Sequence, residues 1–127
     1  MYVLDTDTCV WALRQRALTY ARVQEQSPDD LAVTAMTLAE LYFGGLRSRD
    51  PGAARERVET LLAPLRVLPF DELAAAEHAR IRHALTATPI GERDLVIAAT
   101  VICHRATLVT GNRREFDRVP GLAVETW

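Results

Sequence analysis

The sequence predicts an α/β fold in which a central parallel sheet is flanked by helices in three layers. Three observations lead there. Short apolar runs such as Tyr2-Val3-Leu4 and Leu31-Ala32-Val33 lack polar alternation, as strands buried on both faces do. These runs alternate along the chain with stretches of helical period, the pattern of parallel strands joined by helical crossovers. Helix-opening polar residues, Asp50 and Asp71 among them, stand at the joints between the two.

The first strand, Tyr2 to Leu4, runs straight into Asp5-Thr6-Asp7-Thr8. Ligands in parallel sheets bind beyond the carboxyl ends of the strands, which puts Asp5 at the expected active-site edge. The same four residues also suit a turn and N-cap opening the next helix. Cys9, Val10, Trp11 and Leu13 fit that helix, and Leu18, Ala21 and Val23 suggest a second, short one that stops near Ser27-Pro28-Asp29-Asp30. Leu31 to Met36 reads as the second strand. Thr37 and Glu40 then form a T-x-x-E capping box for a helix carrying Leu41, Tyr42 and Phe43, which Gly44-Gly45 loosens or ends. Asp50-Pro51 opens the helix that runs through Leu62. Val67 to Phe70 is the third strand, and Asp71 caps a long helix with Leu73, Ala76, Ile81 and Leu85 facing inward. Thr88 to Gly91 is a loop, and Glu92 to His104 is a strongly apolar central helix. Thr107 to Thr110 and Leu122 to Glu125 complete the strands, the last after a Pro-Gly turn. No repeat, linker or low-complexity tract interrupts this order, so residues 1–127 read as one domain.

Composition narrows the chemistry. A net charge of −2 argues against coating a polyanion or anionic membrane by bulk electrostatics, so any such contact is local. All 15 basic residues are arginine. The absence of lysine removes Schiff-base chemistry, lysine general bases and the phosphate-loop lysine of nucleotide triphosphatases, while arginine keeps bidentate phosphate recognition available. Cys9 and Cys103 are too few and too far apart for a disulfide framework or zinc site, and both read as small buried hydrophobes. Asp5 and Asp7 interrupt any signal-peptide core, and the longest apolar stretch, Leu95 to Cys103, is too short to span a bilayer. A cytoplasmic protein is expected.

Four acids lie at element junctions: Asp5, Glu40, Asp94 and Glu115. In a parallel sheet all four positions can face one rim. Singly, each has another use: Glu40 in its capping box, Asp94 in favouring a helix N-terminus, Glu115 as a solvated charge beside Arg113 and Arg114. Gathered carboxylates repel, so some protonate or a cation sits among them. Hard oxygen ligands suit Mg²⁺ or Mn²⁺, and such an ion supports phosphodiester hydrolysis. Asp5 and Asp94 are the first choices for direct ligands, with Glu40 and Glu115 holding a second ion or positioning water.

The chain resembles the PIN-domain ribonucleases, in particular the VapC-type toxins of bacterial toxin–antitoxin pairs. The resemblance rests on V-L-D-T-D-T at 3–8, T-L-A-E-L-Y-F-G at 37–44, I-G-E-R-D-L-V-I-A-A at 90–99 and L-V-T-G-N-R-R-E-F at 108–116, with G-L-A-V-E-T-W at 121–127 like the family's last strand. It implies a parallel sheet flanked by helices, an acidic Mg²⁺ site, metal-dependent RNA cleavage, homodimers, and inhibition by a small cognate antitoxin. The family's acids carry over onto Asp5, Glu40 and Asp94. The fourth is usually an aspartate before the phenylalanine; here that place holds Glu115, with Asp117 a nearby substitute. Asn112, the chain's only asparagine, matches the family pattern and implies hydrogen bonding that orients the site together with Thr6 and Thr110. The family often has asparagine where this chain has Asp7.

Two other readings compete. L-D-T-D-T at 4–8 imitates the first motif of haloacid-dehalogenase-like phosphatases, with Asp5 as nucleophile and Asp7 as acid/base, but that chemistry calls for a lysine this chain lacks. A catalytically silent, protein-binding module of the same fold is the other, and the retained acids weigh against it. His78 and His83, five apart on one helix, do not share a face, and Ser27 and Ser48 lack a nucleophile-elbow context. RNA phosphates must therefore be met by arginines, with Arg113 and Arg114 beside the last acid as candidates.

Overall fold

Five strands, β1 (Tyr2–Leu4), β2 (Leu31–Thr34), β3 (Arg66–Leu68), β4 (Thr107–Val109) and β5 (Ala123–Glu125), form one sheet in the order β3-β2-β1-β4-β5. Every neighbouring pair is parallel. The computed structural model describes all 127 residues. Seven helices surround the sheet: α1 (Thr6–Leu13), α2 (Ala17–Glu25), α3 (Ala35–Leu46), α4 (Pro51–Leu62), α5 (Glu72–Ala84), α6 (Glu92–Cys103) and the single turn α7 (Arg113–Phe116).

Strand periodicity divides the core into two layers. Val3, Ala32, Leu68 and Leu108 face one side and pack with Ile81, Leu95 and Ile97 of α5 and α6. Their neighbours Leu4, Val33 and Val109 face the other side and meet Cys9, Leu41, Val58 and Leu62 of α1, α3 and α4. Successive side chains point to opposite faces, so continuous apolar runs are what a sheet covered on both sides requires. No helix is long and apolar enough to cross a membrane.

Several local expectations change. β2 ends at Thr34, two residues early, because Thr34 and not Thr37 is the N-cap: its Oγ1 accepts the Thr37 N–H at 3.0 Å. Thr37 is thus the third helical residue and Glu40 lies in the second turn. No capping box forms, and the Glu40 carboxylate has no capping duty. Helix α3 continues through Gly44 and Gly45 to Leu46, since neither glycine takes a positive φ and Gly45 lies against Ala54 of α4. β3 spans Arg66–Leu68, starting and ending earlier than expected, so that Phe70 lies outside it. On α5 the inward face is Ala74 and Ile81, continued by Leu85; Leu73 is 69% exposed and Ala76 is exposed as well. Cys9 is buried as expected, whereas Cys103 is only half-buried, lining a surface cleft with Leu73 and Ala76.

The strand order decides where the site lies. From β1 the chain moves outward to β2 and β3, then returns to the opposite side of β1 for β4 and β5. The crevice at such a reversal opens between the carboxyl ends of β1 and β4.

Candidate active site

Asp5 follows β1 directly and is 6% exposed. Its position is over-determined. Its backbone N–H donates to Val109 O of β4, Oδ1 accepts the Thr6 N–H at 2.8 Å, and Oδ2 accepts the Thr110 hydroxyl at 2.7 Å. It also serves as the N-cap of α1, so both uses expected of this stretch coexist. The Thr110 hydroxyl in turn accepts the Asn112 N–H at 3.0 Å, and Asn112 Nδ2 donates to Asp94 Oδ2 at 3.3 Å. A continuous relay therefore runs from Asp5 through Thr110 and Asn112 to Asp94 in the first turn of α6.

The remaining acids share this field. Burial pushes the Asp5 carboxyl up from about 3.8 to about 6, against its two hydrogen bonds, with the charges of Asp7 and Asp94 adding to the rise. Asp94 is raised by burial and then by the Glu115 charge. Glu40 is raised by burial and by Asp94, and Arg93 lowers both it and Asp94 without cancelling the rise. Asp94 thus lies at the electrostatic centre, feeling Glu115 on one side and felt by Asp5 and Glu40 on the other. The Cys9 thiol, fully buried beneath Asp5 and Asp7, is pushed up and stays protonated, which removes it as a nucleophile.

Glu115 and Asp117 differ in their company. Glu115 accepts Arg118 Nη2 at 2.8 Å, and Arg118 also donates to the Thr88 and Pro89 carbonyls, which anchors the acid beside the start of α6. Asp117 is held by the Arg113 fork at 3.1 and 3.2 Å, and Arg113 also donates to Val124 O. Arg113 is thereby engaged within the chain, while Arg114 is exposed and takes part in no ion pair.

With the geometry in view, comparison with known proteins is decisive. The family model of the PIN domain matches residues 2–122. The chain belongs to the PIN-domain family. It is 31% identical to the tRNA(fMet)-specific endonuclease VapC of Salmonella typhimurium, over 99% of this chain and 97% of that protein. It is 33% identical to ribonuclease VapC2 of Haemophilus influenzae over the same shares. The crystal structure of VapBC2 from Rickettsia felis bound to a DNA fragment of its promoter superposes with a TM-score of 0.91 at 30% identity, covering 99% of this chain and 98% of that one.

Two residues near these acids have contacts that the sequence did not assign, Asp7, whose extra charge it left without a role, and Arg93. Asp7 has a defined role: Oδ1 accepts the Thr8 N–H at 2.7 Å and Oδ2 the Gly111 N–H at 3.0 Å, latching the first turn of α1 to the loop after β4. Gly111 must be glycine there, since a Cβ would overlap the Trp11 ring and fall 2.9 Å from Asp7 Oδ2. Arg93, the cation facing Glu40 and Asp94, carried no signal because it sits one residue from an acid in a mixed charge run. The donors fit a hard divalent cation. All are carboxylate or hydroxyl oxygens, three of the carboxyls have raised pKa values, and Thr6 Oγ1 is buried without a hydrogen-bond partner. No three of the chain's acid, histidine or cysteine side chains converge at ligand spacing. Mg²⁺ asks less, since it is usually held by one or two carboxylates and keeps several waters.

Proposed function

We propose that this PIN-domain protein is an Mg²⁺-dependent endoribonuclease, with Mn²⁺ able to substitute, and that residues 1–127 act as one domain. Membership of the family makes it a nuclease; the observation that carries the mechanism is the relay joining buried Asp5 to Asp94 at the β1–β4 crevice. Asp5 and Asp94 would hold the cation directly. Bound there, it would supply neutralisation of charge on a phosphate oxygen and a lowered pKa for water. Thr110 and the Thr6 N–H hold Asp5 in one orientation, and Asn112 does the same for Asp94. Glu40, half-buried and with its carboxyl raised by burial, takes the part of proton acceptor for the attacking water. Glu115, anchored by Arg118, completes the acidic rim beside Asp94. Arg114 contributes a phosphate contact, and Arg113, tied to Asp117, contributes less than its sequence position implies.

The biological role proposed is that of a cytoplasmic, homodimeric toxin held in check by a small cognate antitoxin; the VapBC likeness supports the antitoxin. The phosphatase alternative loses support at Asp7. Its carboxylate accepts two backbone N–H groups and is not free to act as acid/base. Purified protein freed of antitoxin should cut single-stranded or looped bacterial RNA in Mg²⁺ and stop on addition of EDTA. Loss of one direct ligand, Asp5→Asn, removes about 3–4 kcal/mol of transition-state stabilisation, a fall in rate of about a hundred- to a thousand-fold. Equal cleavage by wild type and a folded Asp5→Asn protein would sink the mechanism.

A further inference from the structure

A cleft of about 360 Å³ begins at Thr6 and Glu40 and runs between α1, α3 and α4. Its charged lining is three residues: Glu40 at the mouth, Arg14 from α1's C-cap and Arg57 from α4. Of the 15 arginines, four are in ion pairs and three more lie over aromatic rings. Arg14 and Arg57 are exposed and make no side-chain hydrogen bond or ion pair. The cleft also has room, because a Cβ at Gly44 would meet nothing within 4 Å.

Beyond Arg57 the cleft continues into a groove of about 570 Å³ that shares Leu13 and Arg57 with it and presents Gln15, Gln24 and the Tyr20 ring. Amides and an exposed aromatic ring suit the hydrogen bonding and stacking of unpaired bases. A polyanion crossing an acidic rim is repelled unless cations receive its phosphates on the way out. Arg14 and Arg57 are the cations that line this path beyond Glu40.

We infer that the RNA strand leaves the carboxylates past Glu40 and lies in this cleft, with Arg14 and Arg57 as its phosphate contacts. The inference rests on the ribonuclease reading above. Its occupant is single-stranded RNA, because the charges that line the cleft beyond Glu40 are both guanidinium groups with phosphate-matching forks.

The test uses a fluorescein-labelled, mixed-sequence, single-stranded 12-nucleotide RNA and fluorescence anisotropy over a salt series, in metal-free protein carrying Asp5→Asn. Arg14→Gln and Arg57→Gln should each weaken binding about fivefold or more at low salt and take about 0.7 from the log–log salt slope, the increment for one phosphate on a single strand. Arg14→Lys and Arg57→Lys should restore the slope, and Arg80→Gln, on the far helix α5, should leave it unchanged. Gly44→Leu, which fills the cleft without altering charge, should weaken binding with the slope retained for the contacts that remain. Cleavage of total bacterial RNA by the wild type, run in parallel, separates the two ways of failing. A wild type that cuts no RNA removes the nuclease reading. A wild type that cuts RNA while the Arg14→Gln/Arg57→Gln protein binds the 12-mer with unchanged affinity and slope overturns the cleft assignment alone and gives the cleft to a protein segment.

Discussion

At Asp5, burial and hydrogen bonding act in opposite directions, and burial wins. A rise from about 3.8 to about 6 corresponds to about 3 kcal/mol. Because this acid's folded value lies above its unfolded one, its contribution to metal-free stability is present below pH 3.8 and is lost as pH rises through about 6. Urea melts of metal-free protein between pH 4 and 7 should therefore show wild type losing ground against Asp5→Asn as pH rises. A constant difference across that range would mean that Asp5 is not held near 6. A second residue-scale prediction separates the two candidates for the fourth acid. Glu115 acts on Asp94, whereas Asp117 is occupied by Arg113. Glu115→Gln should reduce RNA cleavage far more than Asp117→Asn, and the reverse order would transfer the role to Asp117.

Among the elements, helix α1 and the loop that follows β4 act as one unit. Asp7 reaches across to the Gly111 N–H, the Trp11 ring covers the glycine, and Thr110 and Asn112 then face Asp5 and Asp94. A methyl at 111 cannot be absorbed without moving Trp11 or breaking the Asp7 latch. Gly111→Ala should lower stability by roughly 1–3 kcal/mol, as overpacking does. It should also shift tryptophan emission and slow cleavage through the displaced Asn112. Unchanged emission and stability would show that Trp11 has another place to go. The same scale explains the change at α3. The Thr34 cap is available because β2 ends on it, directly before the helix, and Glu40 moves from the first turn to the second, where it lines the cleft between α1, α3 and α4 with Thr6.

For the whole molecule, a ligand that binds only the folded state raises its stability by mass action. Mg²⁺ or Mn²⁺ at a hundred times its Kd should raise Tm by roughly 8 °C at neutral pH, and EDTA should reverse the gain. In Asp94→Asn the gain should shrink. An Asp94→Asn protein with the wild-type Mn²⁺ response would remove Asp94 from the ligand set. The gain should also fall as pH drops below about 6, because Asp5 must be ionised to hold the ion.

The sequence by itself determined the class of fold, the four junction acids and the family. Continuous apolar runs leave few alternatives to a sheet covered on both faces, and junction acids follow from where those runs stop. It could not determine which neighbours the acids would have. Thr110 and Asn112 lie about a hundred residues from Asp5, and only the β3-β2-β1-β4-β5 order sets the end of β4 beside the end of β1. Asp7 read as an unexplained extra charge because its partner, Gly111, is equally distant in the chain. Local signals failed where packing outweighed them. The T-x-x-E pattern gave way to a cap three residues earlier, the glycine pair stayed helical against α4, and Leu73 turned outward on a helix aligned by Ala74 and Ile81. Capping preferences amount to about 1 kcal/mol, less than burying one large side chain, so tertiary contacts chose among the starts and faces the sequence left open.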